Sequence, residues 1–397
     1  MIPVPGCFIR GSSALALIAL LGLGCSESGG HPIGPTVSDS SGVQIVMNRS
    51  DEPPARWRLA DHPKVRIGSV EGDGPDVFGF VGAIQYVEGA VVVGDPMNAR
   101  VSVFGTDGEF RFAVGGRGQG PGEFMSIDVL EGLNGDTVAI FDRRLQRVSL
   151  LSLGTQAIGR TFALNGAAGG DPELVGAISP DHLLFRNDEI SPRPGLSRQS
   201  ALVVRASLSE GTVDTVGVFP GMEMYWVEVD GEREIGAVPF GLTGWLAVGE
   251  GVFAYGSGES VLVDVYDPQG RMVRSIRTGW TGPTVDADAR SGYVESRLRG
   301  NDSPEMRRRV ERVLEALSLP RTGPAHSRML YDSEGNLWVA GTRAGGWVVF
   351  GPGGELLAGI DVPDRTFPMQ ITDEIVWALQ IGEMDHTSVV GYQIIRE

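Results

Sequence analysis

The side chains that could carry chemistry in this chain are few, and they do not form a familiar catalytic pattern. The sequence has no G-x-S-x-G, S-x-x-K or H-E-x-x-H motif, so the usual hydrolase and zinc-protease arrangements lack support. The histidines are His31, His62, His182, His326 and His386. They lie too far apart for the short ligand spacings of histidine-bound metals. These observations favour a protein that is not an enzyme, while leaving catalysis open.

Two acidic residues have the spacing with which a calcium-binding loop begins. Asp286 and Asp288 would be its first two ligands, but Arg290 occupies the next ligand position and Ser291 replaces the glycine that such a loop needs. We therefore interpret this pair as surface acids close to a helix. A calcium site is the alternative interpretation.

One of the two cysteines has the sequence context of a lipidation site. Residues 1–25 contain Arg10, an apolar run and a final Cys25, which is the layout of a signal peptide. The segment LGLGC resembles the bacterial lipobox, with Gly22 where leucine is usual. Ser26 after the cysteine favours the outer membrane, so the sequence predicts membrane attachment through a lipid anchor only. The alternative is ordinary secretory cleavage nearby, which would discard Cys25.

Composition restricts the class of the remaining chain and of its partners. The 58 glycines, 24 prolines and 42% hydrophobic residues indicate many short strands joined by tight turns. A net charge of -17 repels phosphate backbones, so nucleic acid is not an expected partner. Residues 26–41 are rich in Ser, Gly and Pro, and we predict a flexible tether leading to a single domain at 42–397.

One sequence phrase recurs along this domain at a regular spacing. The segments VSVFGTDGEF (101–110), VDVYDPQGRMV (263–273) and VVFGPGGELL (348–357) each contain an aromatic residue, a glycine-closed turn and a following strand. Weaker copies fill the intervals, and the units recur about every 40 to 50 residues. Small sheets of this kind must stack around an axis to bury both faces. We therefore predict an all-β fold, a six-bladed β-propeller.

The two ends of the repeat region complement each other. The last unit ends at Arg396 without an outer strand, whereas an unpaired strand pattern between Trp57 and Gly68 precedes the first unit. We predict that this N-terminal strand completes the last blade. Such a closure hides two strand edges that would otherwise promote aggregation.

Two further segments carry a family resemblance. With GRGQGPGEF (116–124), YDSEGNLWV (331–339) and the blade pattern, residues 42–397 are similar to six-bladed NHL-like or TolB-like β-propeller lipoproteins, a group of largely unknown function. We interpret the glycine-rich segment as a crossing between two blades, where a Cβ atom would be crowded. A phosphate cradle is the alternative, although no GK[ST] follows.

The blade spacing is interrupted once, between residues 284 and 324. Ser303 or Asp302 can cap a helix, Pro304 suits its first turn, and apolar residues then recur at helical spacing. The sequence predicts a helical insertion. It either packs over the sides of the blades or serves as a lid or a partner-docking element.

Residues at the starts of the inner strands are candidates for ligand binding, because they face the axial channel of a propeller. They are Asp128, Trp245, His326, Arg328, Met369 and Gln370. Trp245 suits stacking on a sugar or a peptide, and His326 could instead be hydrogen-bonded to a neighbouring blade. The resemblance implies a divalent cation such as calcium in this channel. Asp128 and His326 are the candidate ligands for it.

Two functions are compatible with these residues. The first is a monomeric, non-catalytic lipoprotein that binds a protein, peptide or glycan of the cell envelope and needs no cofactor. The second is a divalent-cation-dependent lyase or lactonase that uses the axial channel. Fold alone does not separate them, because propellers host both.

Overall fold

β-Strands make up about half of the residues described by a computed structural model of the chain. The structure describes residues 34–50, 52–299, 302–341, 346–382 and 385–396. The predicted signal peptide, Cys25 and the first part of the predicted tether lie outside these residues.

Four short strands precede the first repeat unit. They are β1 (Thr36–Ser40), β2 (Val43–Met47), β3 (Arg56–Leu59) and β4 (Val65–Ile67). Strand β1 lies within the segment predicted as a tether, and it pairs with β2 in antiparallel fashion.

Six sheets follow, and we call them blades I to VI, with the inner strand first in each. Blade I contains β5 (Ala83–Val87), β6 (Ala90–Asp95), β7 (Arg100–Gly105) and β8 (Phe110–Gly115). Blade II contains β9 (Val129–Gly132), β10 (Thr137–Asp142), β11 (Arg147–Ser152) and β12 (Ala157–Ala163). Blade III contains β13 (Glu173–Ser179), β14 (His182–Glu189), β15 (Gly195–Ser207), β16 (Val213–Val229) and β17 (Glu232–Ala237).

The second half of the chain repeats the arrangement and inserts two helices. Blade IV contains β18 (Trp245–Gly249), β19 (Val252–Gly256), β20 (Leu262–Tyr266) and β21 (Met272–Arg277). Helices α1 (Ala287–Leu298) and α2 (Pro304–Ala316) come next. Blade V contains β22 (Arg328–Tyr331), β23 (Leu337–Ala340), β24 (Trp347–Phe350) and β25 (Leu356–Ile360), and blade VI contains β26 (Thr366–Ile371), β27 (Ile375–Ile381) and β28 (Thr387–Ile395).

The blades stack radially into a closed ring. Each inner strand contacts the inner strands of both neighbouring blades, and the inner strand of blade VI contacts that of blade I. Six clusters of buried hydrophobic residues lie between adjacent blades, one at each junction. Burial between sheets is the main source of stability, because neither face of a single blade can be buried alone.

The N-terminal strands close this ring, as the sequence predicts. Strand β4 pairs with β28 and serves as the fourth strand of blade VI. The same segment also continues two other blades, because β3 pairs with β25 of blade V and β2 pairs with β21 of blade IV, both in parallel. We call residues 43–67 the N-terminal strap. Its contacts with blades IV and V were not part of the prediction.

All inner strands start on the same side of the ring. Because successive strands of a blade alternate in direction, the connections that enter the inner strands lie on one face, together with the turns between second and third strands. We call this the top face. Blade III projects beyond it, because the start of β15, the end of β16 and strand β17 continue its five-stranded sheet past the other blades. We call this part of the sheet the blade III extension.

The helical insertion also lies on the top face, and it packs on the blade III extension. Asp286 caps α1 and Ser303 caps α2 through their side-chain oxygens. Val313 and Leu317 bury their side chains against Val229 of the extension. The predicted helical insertion is therefore present, but it covers the extension rather than the sides of the blades. Within the described residues, neither helix is long and apolar enough to cross a bilayer.

Candidate functional site

The inner strands of all six blades surround an axial cavity of about 1000 Å³. A β-bulge in β26 between Pro368 and Gln370 interrupts the regular pairing at Met369. Bulges of this kind redirect a side chain away from the alternation of a regular strand. Met369 and Gln370 both line the cavity.

The structure places most of the predicted channel residues on the wall of this cavity. Asp128, Trp245, Arg328, Met369 and Gln370 all line it. They come from blades II, IV, V and VI, so the ring brings together side chains that are distant in sequence. His326 does not line the cavity.

His326 is fully buried at the junction between blades IV and V. Its Nε2 accepts a 3.2 Å hydrogen bond from the main-chain N–H of Gly258, which belongs to blade IV. Its ring also occupies the space above Gly256, where a Cβ atom would approach it to 2.5 Å. Burial lowers the pKa of His326 to about 4, so the neutral ring is the stable form near neutral pH. This residue joins two blades and is not a channel ligand.

Asp128 is exposed at the mouth of the cavity, but its carboxylate already has partners. Its Oδ2 accepts hydrogen bonds from the hydroxyl of Ser126 and from the main-chain N–H of Arg143. Because His326 is enclosed between two other blades, the two predicted cation ligands do not converge. No group of three or more His, Cys, Asp or Glu side chains suited to a metal occurs within the described ranges. These residues do not fit a divalent cation in the channel.

Two glutamines join blades VI, I and II beside the cavity. The side-chain amide of Gln370 accepts from the N–H of Tyr86 and donates to its carbonyl oxygen at 3.2 Å. The side-chain amide of Gln85 is oriented so that both its nitrogen and its oxygen have hydrogen-bond partners. In this orientation the nitrogen donates to the carbonyl of Leu130, and the oxygen accepts from the N–H of Gly132 at 3.1 Å. In that orientation it also accepts from Nε2 of Gln370 at 2.9 Å.

Glu131 is a channel residue that the sequence pattern did not identify. It lines the cavity from β9, and its Oε1 accepts a 3.1 Å hydrogen bond from the N–H of Ala177 in blade III. Burial raises its pKa from 4.5 to about 7, because the surrounding protein disfavours the charged form more than this one hydrogen bond favours it. The available signal was a single acid within the apolar inner strand VLEG.

Two arginines complete the set of side chains that connect adjacent blades at the channel. Nη1 of Arg186 donates to the carbonyl of Gly244, just before β18, and its Nε donates to Asp188 at 2.8 Å. Nη2 of Arg328 in blade V lies 3.5 Å from Sδ of Met369 in blade VI. Each of the six blade junctions is thus bridged by a polar side chain close to the axis, and we call these contacts the junction clasps.

A second set of polar contacts holds the connections into blades I and II, and it was not predicted from the sequence. The segments DPMNARVS (95–102) and DRRLQRVS (142–149) share the pattern D-x-x-x-x-R-V-S. Asp95 and Asp142 are fully buried and accept main-chain N–H groups of the connection into their own blade. Arg100 and Arg147 donate to carbonyl oxygens of the same connections. This repeat stabilises the blades and does not face the cavity.

Comparison with protein families agrees with the architecture. A family model described as DUF5128, 6-bladed beta-propeller, matches residues 76–156, which hold blade I and three strands of blade II. The chain is a six-bladed β-propeller. The match and the ring of six sheets together confirm the predicted fold class. No curated protein matches this propeller.

Several solved structures resemble the propeller in fold. A member of the DUF4221 family from Bacteroides vulgatus matches with a TM-score of 0.51 and 9% identity, over 86% of this chain and 99% of its own. A protein described as exported, from Bacteroides fragilis, has a TM-score of 0.47, 10% identity and coverage of 89% and 99%. A protein of unknown function from Bacteroides thetaiotaomicron has values of 0.46, 12%, 89% and 79%. At these identities the likeness concerns the fold alone.

Proposed function

We propose that this protein is an exported, lipid-anchored propeller that binds a peptide segment of another envelope protein in its axial channel, without catalysis. The observation that carries the proposal is the cavity of about 1000 Å³ whose polar wall is held by the junction clasps. A site that is rigid before binding loses little conformational entropy when its ligand enters. The propeller acts as a monomer in this proposal and needs no cofactor.

The character of the top face favours a peptide or protein over a glycan. Among the described residues, seven of the eleven exposed large hydrophobic side chains lie on this face or on its extension. They are Val70, Phe80, Met97, Ile190, Leu196, Ile235 and Phe367. Apolar side chains on one face can pack against the side chains of a peptide, whereas a sugar site relies on aromatic platforms and hydrogen-bonding groups.

In this proposal the leader sequence determines where the propeller resides, which is at the surface of a membrane. Strand β1 begins at Thr36, eleven residues after Cys25. A chain of that length reaches at most about 40 Å, so a lipid on Cys25 would keep the propeller close to the membrane surface. Cys25→Ser should move the protein from the membrane fraction to the soluble envelope fraction, and mass spectrometry should show acylation of wild type only. Membrane association that is equal in both proteins would contradict the anchor.

The channel itself can be tested by filling it. Met369→Trp places a larger side chain in the cavity, and Val273→Trp makes the same kind of change on the outer strand β21, where Val273 is 36% exposed. Envelope extract is passed over immobilised wild type and both variants after thermal unfolding has shown that they are folded. We expect a protein captured by wild type to be retained by Val273→Trp and lost by Met369→Trp. Equal capture by both variants would contradict binding in the channel.

A further inference from the structure

Arg328 differs from the other residues that form the junction clasps. Every other clasp includes a hydrogen bond to a main-chain atom of the neighbouring blade; these clasps are formed by Gln370, Gln85, Glu131, Arg186 and His326. The guanidinium of Arg328 instead reaches the thioether sulfur of Met369 at 3.5 Å. A thioether is a weak acceptor, and a guanidinium has five N–H donors. Most of the hydrogen-bonding capacity of Arg328 is therefore unused within the part of the chain that the structure describes.

Arg328 also has no counter-ion among the described residues. No carboxylate there lies within 4 Å of it, whereas Arg186 on the same cavity wall pairs with Asp188 at 2.8 Å. The acids Asp128 and Glu131 on the wall form their hydrogen bonds with other groups. Burial lowers the pKa of Arg328, and no acidic neighbour offsets that effect. Its Nε and Nη1 atoms are not among the buried side-chain nitrogens of the described residues, so an anion that enters the cavity can reach them and pair with the guanidinium.

The surroundings restrict which anion fits. Arg328 is the only cavity-lining arginine for which the described residues show neither an ion pair nor a main-chain acceptor. Six acidic side chains line the cavity, namely Asp128, Glu131, Glu173, Glu250, Asp332 and Glu334, and the whole chain has a net charge of -17. A phosphate carrying two negative charges would be repelled by these acids. A carboxylate carries one charge, and its two oxygens match the fork of a guanidinium.

We propose that Arg328 binds a carboxylate of the peptide segment in the channel, either an Asp or Glu side chain or a C-terminus. Trp245 occupies the equivalent first position of the inner strand in the adjacent blade IV and lines the same cavity. It offers an apolar surface to the residue next to the acid. This inference rests on the proposed function, because it names the chemistry of the ligand that the channel takes.

The first test is the stability of the unliganded protein, with Arg186 as a matched comparison. Arg328→Met removes a cation that has no partner, so we expect a urea midpoint equal to or above that of wild type. Arg186→Met removes the partner of Asp188 and of the Gly244 carbonyl, so we expect a lower midpoint. A loss of stability in Arg328→Met as large as that in Arg186→Met would overturn the inference, because the hydrogen bonds of Arg328 would then serve the folded ring and not a ligand.

The second test is selection from a displayed library of random peptides, with wild type as the bait. We expect the selected peptides to share an Asp, a Glu or a free C-terminal carboxylate. Arg328→Met should bind the selected peptide about tenfold or more weakly. Arg308→Met removes an exposed arginine of α2 and should bind it as wild type does.

Each other outcome of the selection has a defined meaning. Selected peptides without a shared carboxylate, or equal affinity for wild type and Arg328→Met, would overturn the inference. Binding of uronic-acid glycans without any peptide binding would overturn the assignment to a peptide. Capture from envelope extract that depends on Met369 but not on Arg328 would overturn this inference and leave the proposed function intact. Capture that survives Met369→Trp would overturn the proposed function itself.

Discussion

The side-chain oxygen of Asn48 accepts a 2.9 Å hydrogen bond from the main-chain N–H of Leu356, a residue 308 positions further along the chain. The amide nitrogen of Asn48 donates to the carbonyl of Gly354, also at 2.9 Å. One amide that is only 4% exposed therefore fastens the N-terminal strap to the turn between β24 and β25 of blade V. The strap is an integral part of the ring.

Removal of this amide should weaken the whole propeller. Asn48→Ala leaves a buried N–H and a buried carbonyl without partners, so we expect a loss of about 2 kcal/mol in the free energy of unfolding. Asn134→Ala, at an exposed position in the turn between β9 and β10, should change it by less than about 0.5 kcal/mol. Urea denaturation measures both. Equal values for the two variants would mean that the strap contributes nothing through Asn48.

The close approach of Gly256 and His326 leads to a second prediction, which concerns the stability of the junction between blades IV and V. A Cβ on Gly256 would stand 2.5 Å from Cε1 and Nε2 of the buried ring, so Gly256→Ala forces the junction between blades IV and V apart. We expect a loss of about 1 to 3 kcal/mol. Gly292→Ala in α1 meets no atom within 4 Å and should stabilise the protein by up to about 1 kcal/mol. Thermal unfolding of both variants distinguishes crowding from a general effect of the substitution.

Glu131 should make stability depend on pH. Its pKa is about 7 in the folded protein, against an ordinary value of 4.5, so the folded state holds the proton more tightly. As pH rises from 4.5 to 7, the unfolded state releases its proton first and the free energy of unfolding falls. Glu131→Gln lacks this effect, and we expect it to exceed wild type by about 1 to 3 kcal/mol near pH 8. The two proteins should be nearly equal near pH 4.

The comparison must be made between variant and wild type, because His326 has the opposite effect. Its pKa is lowered from 6.5 to about 4, so stability is lost as pH falls through this interval. The two contributions oppose each other in wild type. Glu173→Gln, an exposed change on the same cavity wall, serves as the control. If Glu131→Gln and Glu173→Gln followed the same pH profile, the raised pKa of Glu131 would be refuted.

The helical insertion should be removable without loss of the ring. Its two ends are already joined at the base, where Val285 donates to the carbonyl of Arg321 at 2.9 Å and Gly323 donates to that of Pro283 at 2.8 Å. Replacement of residues 286–320 by a short glycine linker should give a soluble propeller with a cooperative thermal transition. The blade III extension would lose its cover, so protease cleavage should increase near Val229. An insoluble product would show that the helices are required for folding.

The fold could be predicted from the sequence because the structure of each blade depends on residues that are close together in the chain. An aromatic, a turn and a glycine with positive φ recur in each clear repeat, as at Gly108, Gly270 and Gly354, and each hairpin depends on residues close in sequence. The closing strand was visible as a missing outer strand at one end of the repeats. The pairing of β2 with blade IV and of β3 with blade V was not visible, because parallel pairing at an outer edge depends on where the chain runs after the ring has formed.

The site was harder to predict, because inner strands alternate between cavity and junction over a few residues. The sequence placed Arg328 on the channel, and it lines the cavity, but His326, two residues earlier, turns into the junction and fills the space above Gly256. Glu131 was not predicted, because a single acidic residue in an apolar strand does not indicate which surface of the fold its side chain will face. Its contact with Ala177 exists only when blades II and III are adjacent.

The most direct measurement of the central claim compares the thermal unfolding of residues 34–397 with that of residues 69–397. The shorter chain lacks the fourth strand of blade VI and both outer pairings on blades IV and V. A ring closed by its N-terminal strap predicts that the shorter chain is insoluble or loses its cooperative transition. A shorter chain that remains soluble, monomeric and unfolds at the same temperature as the longer one would contradict the closure.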